Sequence, residues 1–166
     1  ILNDKDLGFQ YKRMYFSLKT KINSLMWDED TGFYYDLDEN GEKLQRKTIA
    51  GFWPLLAEIP NEDKASALIS HLSNPDTFGL DHPFPSLSAD DPDFSENGEA
   101  YRGSVFPIYN FIVIKGLEKY QRYDLARECT LKHIYYMLDA MFPDGSHVKG
   151  DLWEAYLPTK SGYSSY

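Results

Sequence analysis

Glu154 has the clearest setting for carboxylate chemistry in this chain. It lies in Leu152-Trp-Glu-Ala-Tyr-Leu-Pro158, between Trp153 and Tyr156, where neither a helical nor a strand period is present. Aromatic walls at those positions would hold a hydroxyl-rich ligand and a water against the carboxylate. That suits the residue of a glycoside-cleaving pair that activates water or attacks carbon, while a second carboxyl protonates the departing oxygen. A surface glutamate beside aromatics that seal a loop gives the same pattern, so residue types alone leave both readings open. Acidic, aromatic and arginine side chains alternate again in Pro85-Ser-Leu-Ser-Ala-Asp-Asp-Pro92 and in Tyr101-Arg-Gly-Ser-Val-Phe-Pro107. The planar fork of Arg102 can grip sugar hydroxyls or orient a carboxylate, or it can tie loop carbonyls together. Trp53 is either the floor of a sugar subsite or a core tryptophan between helices. Asp91 precedes Pro92, a setting in which carboxylates bond their own backbone, and a structural use is expected for Asp90 and Asp91 alike.

Other chemistries find little support. Asp36-Leu-Asp-Glu-Asn-Gly-Glu42 copies the opening of a calcium loop, but the twelfth position, which should be a bidentate glutamate, is Lys47, and the flanks read as strands. A plain hairpin is expected there. His71, His82, His133 and His147 are scattered without metal-ligand spacing. There is no GxSxG, GxGxxG or Walker motif. Cys129, the single cysteine, lies in an apolar helical stretch and reads as a buried, inert thiol. No cofactor is expected.

The elements that must position these residues follow from periodicity. The 166 residues carry a net charge of -9, which argues against nucleic-acid and anionic-membrane partners, and aromatics make up 16% of the chain, more than a helical core usually demands. No run approaches the length of a membrane helix. Met14, Leu18, Ile22, Leu25 and Met26 predict an amphipathic helix from about 9 to 26. Residues 33–44 read as two short strands around an Asn40-Gly41 turn. Thr48 can cap a helix through Leu56, and Ala65, Leu68, Ile69 and Leu72 mark another that stops at Asn74-Pro75. About thirty residues follow with little periodicity, a loop long enough to be functional, whose Phe84, Leu87, Phe94 and Tyr101 argue for order. Helices are expected from about 105 to 120, apolar nearly all round and hence central, and from 124 to 141. The tail from Pro143 reads as a loop. Paired helices with alternating short and long connections point to an α-solenoid or an α/α toroid, and the lack of a 34- or 40-residue repeat counts against the first. About five helices fill only part of a twelve-helix barrel.

Several blocks, in order along most of the chain, resemble the C-terminal part of glycoside hydrolase family 63 and the related trehalases. They are Leu25-Met-Trp-Asp-Glu-Asp-Thr-Gly-Phe-Tyr-Tyr-Asp36, Ala50-Gly-Phe-Trp-Pro-Leu55, the two stretches at 85–92 and 101–107, and Asn110-Phe-Ile-Val-Ile-Lys-Gly-Leu117. The resemblance implies an all-α fold, a partial (α/α)6 toroid of the six-hairpin glycosidase type with a small β-hairpin and long active-site loops. Residues 1–166 would then be the C-terminal portion of one catalytic domain, with the remainder of the barrel coming from the same parent chain. It implies an inverting α-glycosidase acting on α-glucosides or α-mannosides in di- or oligosaccharides. Glu154 falls on the family's general base, and the general acid, an aspartate, lies upstream of this chain. By position Arg102, Tyr101, Trp53, Trp153 and Tyr156 would bind substrate. Tyr101 and Phe106 stand where the family commonly has tryptophan, which removes indole hydrogen bonds from the site. The alternative is a non-catalytic carbohydrate-binding or scaffold module, which uses the same aromatics without a carboxylate pair.

Overall fold

The structure, a computed structural model, describes residues 5–142, 151–159 and 162. Helix α1 spans Lys5–Leu25, and a tight turn then pairs β1 (Trp27–Asp28) with β2 (Phe33–Tyr34) in antiparallel register, Trp27 opposite Tyr34. A 3-10 turn at Ile49–Phe52 runs into the short α2 (Trp53–Leu56). Helix α3 (Glu62–Ser73) follows, then a long loop holding a 3-10 turn at Glu99–Tyr101, then α4 (Pro107–Lys119) and α5 (Tyr123–Met141). Local chemistry sets these bounds. Asn61 caps α3 by accepting the Lys64 N–H at 2.9 Å, Glu62 and Asp63 lie in its positive first turn, and Asn74 leaves the helical region at ψ 117° because Pro75 follows. Pro107 opens α4, where a missing N–H costs nothing.

Phe33 is the centre of the core. It meets Phe52 and His71 edge-on at 5.2 and 5.4 Å and lies parallel to Phe78 at 6.0 Å, with Leu55, Leu68, Leu72, Val113 and Leu117 packed around the group. Helix α1 is tied to this body chiefly by polar contacts. Glu58, in a left-handed conformation, turns its carbonyl toward the Tyr15 hydroxyl and the Lys19 ammonium, and Asn23 donates to Ile59 O while accepting from the Tyr34 hydroxyl. No residue of α1 is buried, and Phe9, Tyr11, Met14, Phe16 and Leu18 are each more than half exposed.

Three expectations change. Phe33–Tyr34 pairs with Trp27–Asp28, and the Asn40-Gly41 turn closes a shorter hairpin than expected, held by Asp38 N–H to Glu42 O and Leu44 N–H to Asp36 O, each 2.8 Å, around the Leu37–Lys43 bridge, with the Asp38 carboxylate accepting the N–H groups of Asn40 and Glu42 inside the turn. Thr48 stands at the start of the 3-10 turn without a side-chain cap, its backbone being paired with Leu87 instead. Helix α4 buries one face through Asn110, Val113, Gly116 and Leu117, while Ile108 and Phe111 are about 60% exposed, so it is not central within this chain.

Candidate active site

Four segments far apart in sequence lie side by side through backbone hydrogen bonds. Residues 47–49 pair with 86–88 through Ile49 N–H to Ser86 O at 3.0 Å and Ser88 N–H to Lys47 O at 3.0 Å. Ser86 N–H donates to Ser104 O at 2.8 Å, and Val105 and Tyr156 exchange two bonds of 2.9 Å. The order 47–49, 86–88, 104–105, 156 is a lateral ladder built from loops, and it brings the Arg102 and Glu154 motifs to one bridge. The corner at Tyr101-Arg102-Gly103 turns sharply, with φ of +64° at Tyr101 and +138° at Gly103. Ser86 clamps it from beneath, its hydroxyl donating to Tyr101 O at 2.8 Å and accepting the Gly103 N–H at 3.1 Å. Nothing in the sequence singles Ser86 out beyond its place in the Pro85–Pro92 block.

Glu154 is exposed, two residues ahead of the bridge. The Trp153 N–H donates to the Tyr156 hydroxyl at 3.0 Å, which closes the backbone around Glu154 into a turn. Trp153 is 37% exposed. Tyr156, only 1% exposed, lies beneath the segment with its ring edge-on to His82 at 5.9 Å, so its hydroxyl braces the turn where a sugar-facing ring was expected. Arg102 is half-exposed and paired with Glu99. Tyr101 stacks on Phe106 at 5.1 Å, Phe106 meets Tyr109 at 5.0 Å, and Tyr109 meets Trp53 at 5.9 Å. This row of rings joins Tyr101 to Trp53, both exposed, so within this chain Trp53 is a surface ring. Asp90 and Asp91 serve structure: Asp90 pairs with Lys47 at 2.6 Å and accepts from Ser88, and Asp91 accepts the Asp93 N–H beside Arg46.

His82 and His133, apart in sequence, are bonded in the structure at 2.7 Å between Nε2 of His82 and Nδ1 of His133. His82 Nδ1 lies 3.0 Å from Leu157 O, and since a carbonyl only accepts, Nδ1 carries the proton. A neutral His82 therefore accepts at Nε2 from the Nδ1–H of His133. Both rings are buried, which pushes His82 down to about 3, with His133 adding to the shift, and His133 down to about 4. Cys129 is buried nearby in sequence, its thiol pushed up to about 12. Among the described residues no group of three metal-ligating side chains occurs, and His147 lies outside them.

The buried pair has a consequence for pH. In the unfolded chain each histidine takes up a proton near 6.5, while the folded pair resists until about 4 and 3, so its stabilisation is complete above pH 6.5 and falls as the pH drops. The slope is at most about 1.4 kcal/mol per pH unit for each ring. Carboxylates remain mostly charged down to about pH 4.5, so the histidines, including the half-buried His71, dominate that window. Denaturant unfolding of the full-length protein between pH 7 and 5 is expected to show falling stability, with a flatter profile in a His82→Asn, His133→Asn double variant. Parallel profiles would exclude the pair as the source.

A helical scaffold with long loops that gather an exposed glutamate, an arginine and a row of rings is that of the six-hairpin glycosidases. The solved glycoside hydrolase family 63 mannosylglycerate hydrolase of Thermus thermophilus, in complex with glucose, superposes with a TM-score of 0.75 at 27% identity, over 89% of this chain and 34% of that one. The neutral trehalase of Saccharomyces cerevisiae shares the fold, with a TM-score of 0.74 at 18% identity over 92% of this chain and 28% of its own. Residues 1–163 match the mannosylglycerate hydrolase MGH1-like glycoside hydrolase domain, and the chain belongs to that family. An uncharacterized protein of Borreliella burgdorferi is 53% identical over 162 residues, 98% of this chain and 34% of that protein. The chain thus spans about a third or less of the length of the relatives it matches. Among the described residues no helix is long and apolar enough to cross a membrane.

Proposed function

We propose that the protein carrying this chain hydrolyses an α-glycosidic bond with inversion, and that residues 1–166 form the closing portion of one six-hairpin catalytic domain. The observation that carries the reading is the placement of Glu154, exposed on a turn that is bridged by backbone to the loop segment following Arg102. Glu154 takes a proton from a water whose oxygen bonds to the anomeric carbon as the bond to the leaving oxygen breaks, and an aspartate outside this chain protonates that oxygen. Arg102 holds hydroxyls, Tyr101, Trp53 and Trp153 supply ring faces, and Tyr156 supports the turn. The domain assignment rests on the apolar faces that α1, α4 and α5 leave exposed, through Phe9, Met14, Ile108, Phe111 and Ile134, which suit packing against further helical hairpins. Mannosylglycerate is the first substrate to try, because the family and the Thermus thermophilus enzyme carry that name.

The test is hydrolysis of mannosylglycerate, trehalose and glucose-capped oligosaccharides by the full-length protein, with the released sugar followed by NMR. Early appearance of the β-anomer from an α-linked substrate is the expected result. Trehalose gives one β- and one α-glucose under inversion; a cleaved sugar released first as the α-anomer from mannosylglycerate, or α-glucose alone from trehalose, would overturn inversion, and the lack of turnover on every substrate would favour the non-catalytic binding module.

A further inference from the structure

We propose that His82, oriented by His133, is a positioning residue that sets the place of the Glu154 carboxylate from behind. The inference rests on the reading of Glu154 as the base. The segment after Glu154 is gripped on two sides at consecutive residues. On one side Tyr156 exchanges both backbone bonds with Val105. On the other, Leu157 O accepts from His82 Nδ1 at 3.0 Å and Pro158 O accepts from the His82 backbone N–H at 3.2 Å. The imidazole is fully buried, parallel to Tyr136 at 4.8 Å and edge-on to Tyr156, so it has no freedom to follow a segment that shifts.

His133 supplies the direction. It stands on α5, which is packed into the helical body through Ala126 and Cys129, and its Nδ1–H occupies the Nε2 lone pair of His82. That leaves His82 one place for its own proton, on Nδ1, aimed at Leu157 O. The chain α5, His133, His82, Leu157 connects the core to the turn that bears Glu154 through two side chains and two hydrogen bonds. Such an arrangement matters for a general base, because a misplacement of about 1 Å at a reacting group can cost about 100-fold in rate. The burial that holds both rings neutral keeps this single donor pattern in place.

Replacement of His82 in the full-length protein separates the parts of the argument. The amide nitrogen of asparagine sits where Nδ1 of histidine sits and keeps a donor toward Leu157 O, whereas the amide of glutamine reaches toward His133 and misses it. With α-mannosyl and α-glucosyl fluorides as substrates, whose leaving group needs no proton, His82→Phe and His82→Gln are expected to lower kcat about 10- to 100-fold, with KM changed less than about threefold. His82→Asn is expected to recover most of the loss. Thermal unfolding of each variant identifies any that fail to fold, and the asparagine and glutamine pair carries the test if phenylalanine is not tolerated. Equal activity of the two amide variants, or a loss that falls on KM, would overturn the proposal. Glu154→Gln run alongside separates the two failures: if it leaves kcat unchanged, the base assignment itself is wrong, and if it abolishes turnover while His82→Phe does not, only the positioning role is lost.

Discussion

Glu154→Gln in the full-length protein is expected to lower kcat by about 100- to 10,000-fold, the range that general-base catalysis supplies, with KM little changed and the thermal midpoint intact. Glutamine has nearly the shape of glutamate but cannot take a proton from water. The bonds that place the turn, Trp153 N–H to the Tyr156 hydroxyl and the Val105–Tyr156 bridge, involve none of the Glu154 side chain, so the substitution removes the base and leaves its setting. Loss of transition-state stabilisation without loss of binding is the signature to look for in steady-state kinetics. A kcat within about tenfold of the parent would sink the assignment, because a base that contributes so little is not the one that activates water.

Gly103→Ala carries a large expected structural effect. At φ +138° an alanine is strained by about 1–3 kcal/mol before any contact is counted. Its Cβ would also stand 2.5 Å from Ser95 O and 2.9 Å from a ring carbon of Phe94, and the first of these is backbone that cannot swing aside. The corner must open, which moves Arg102 and breaks the N–H bond to the Ser86 hydroxyl. A stability loss of about 2–4 kcal/mol and a drop in turnover are expected together. Gly41→Ala is the control: its φ is +84°, and nothing lies within 4 Å of the added carbon, so it shows the conformational cost alone. Equal losses at the two positions, measured by denaturant unfolding, would remove the clash from the explanation.

The parts of the fold that were legible in the sequence are those whose causes are local. The period of Ala65, Leu68, Ile69 and Leu72 and the Asn74-Pro75 stop locate α3, and the apolar stretches of α4 and α5 locate both helices. Pairing is less legible: Phe33–Tyr34 joins Trp27–Asp28, while the hairpin at Asn40-Gly41 is confined to residues 36–44, a division that alternation along one segment does not encode. The apolar stretch of α4 gave its existence but not its depth, since Ile108 and Phe111 sit on a side that no described element covers. At the site, residue types drew attention to Glu154, Arg102 and the rings. The Ser86 clamp and the histidine pair have no local signature, because each acts across a fold that brings distant segments together, His82 and His133 being 51 positions apart.

The lateral ladder also fixes the order in which the chain can come together. Its rungs join segments separated by tens of residues, and the His82 bond to Leu157 spans 75. A chain emerging from the ribosome can pack the aromatic centre around Phe33 and Phe78 well before residues 153–158 have been made. The turn with the exposed glutamate is therefore laid against a body already formed: a nascent chain that stops short of residue 153 can hold the aromatic centre and still lacks the Val105–Tyr156 rung.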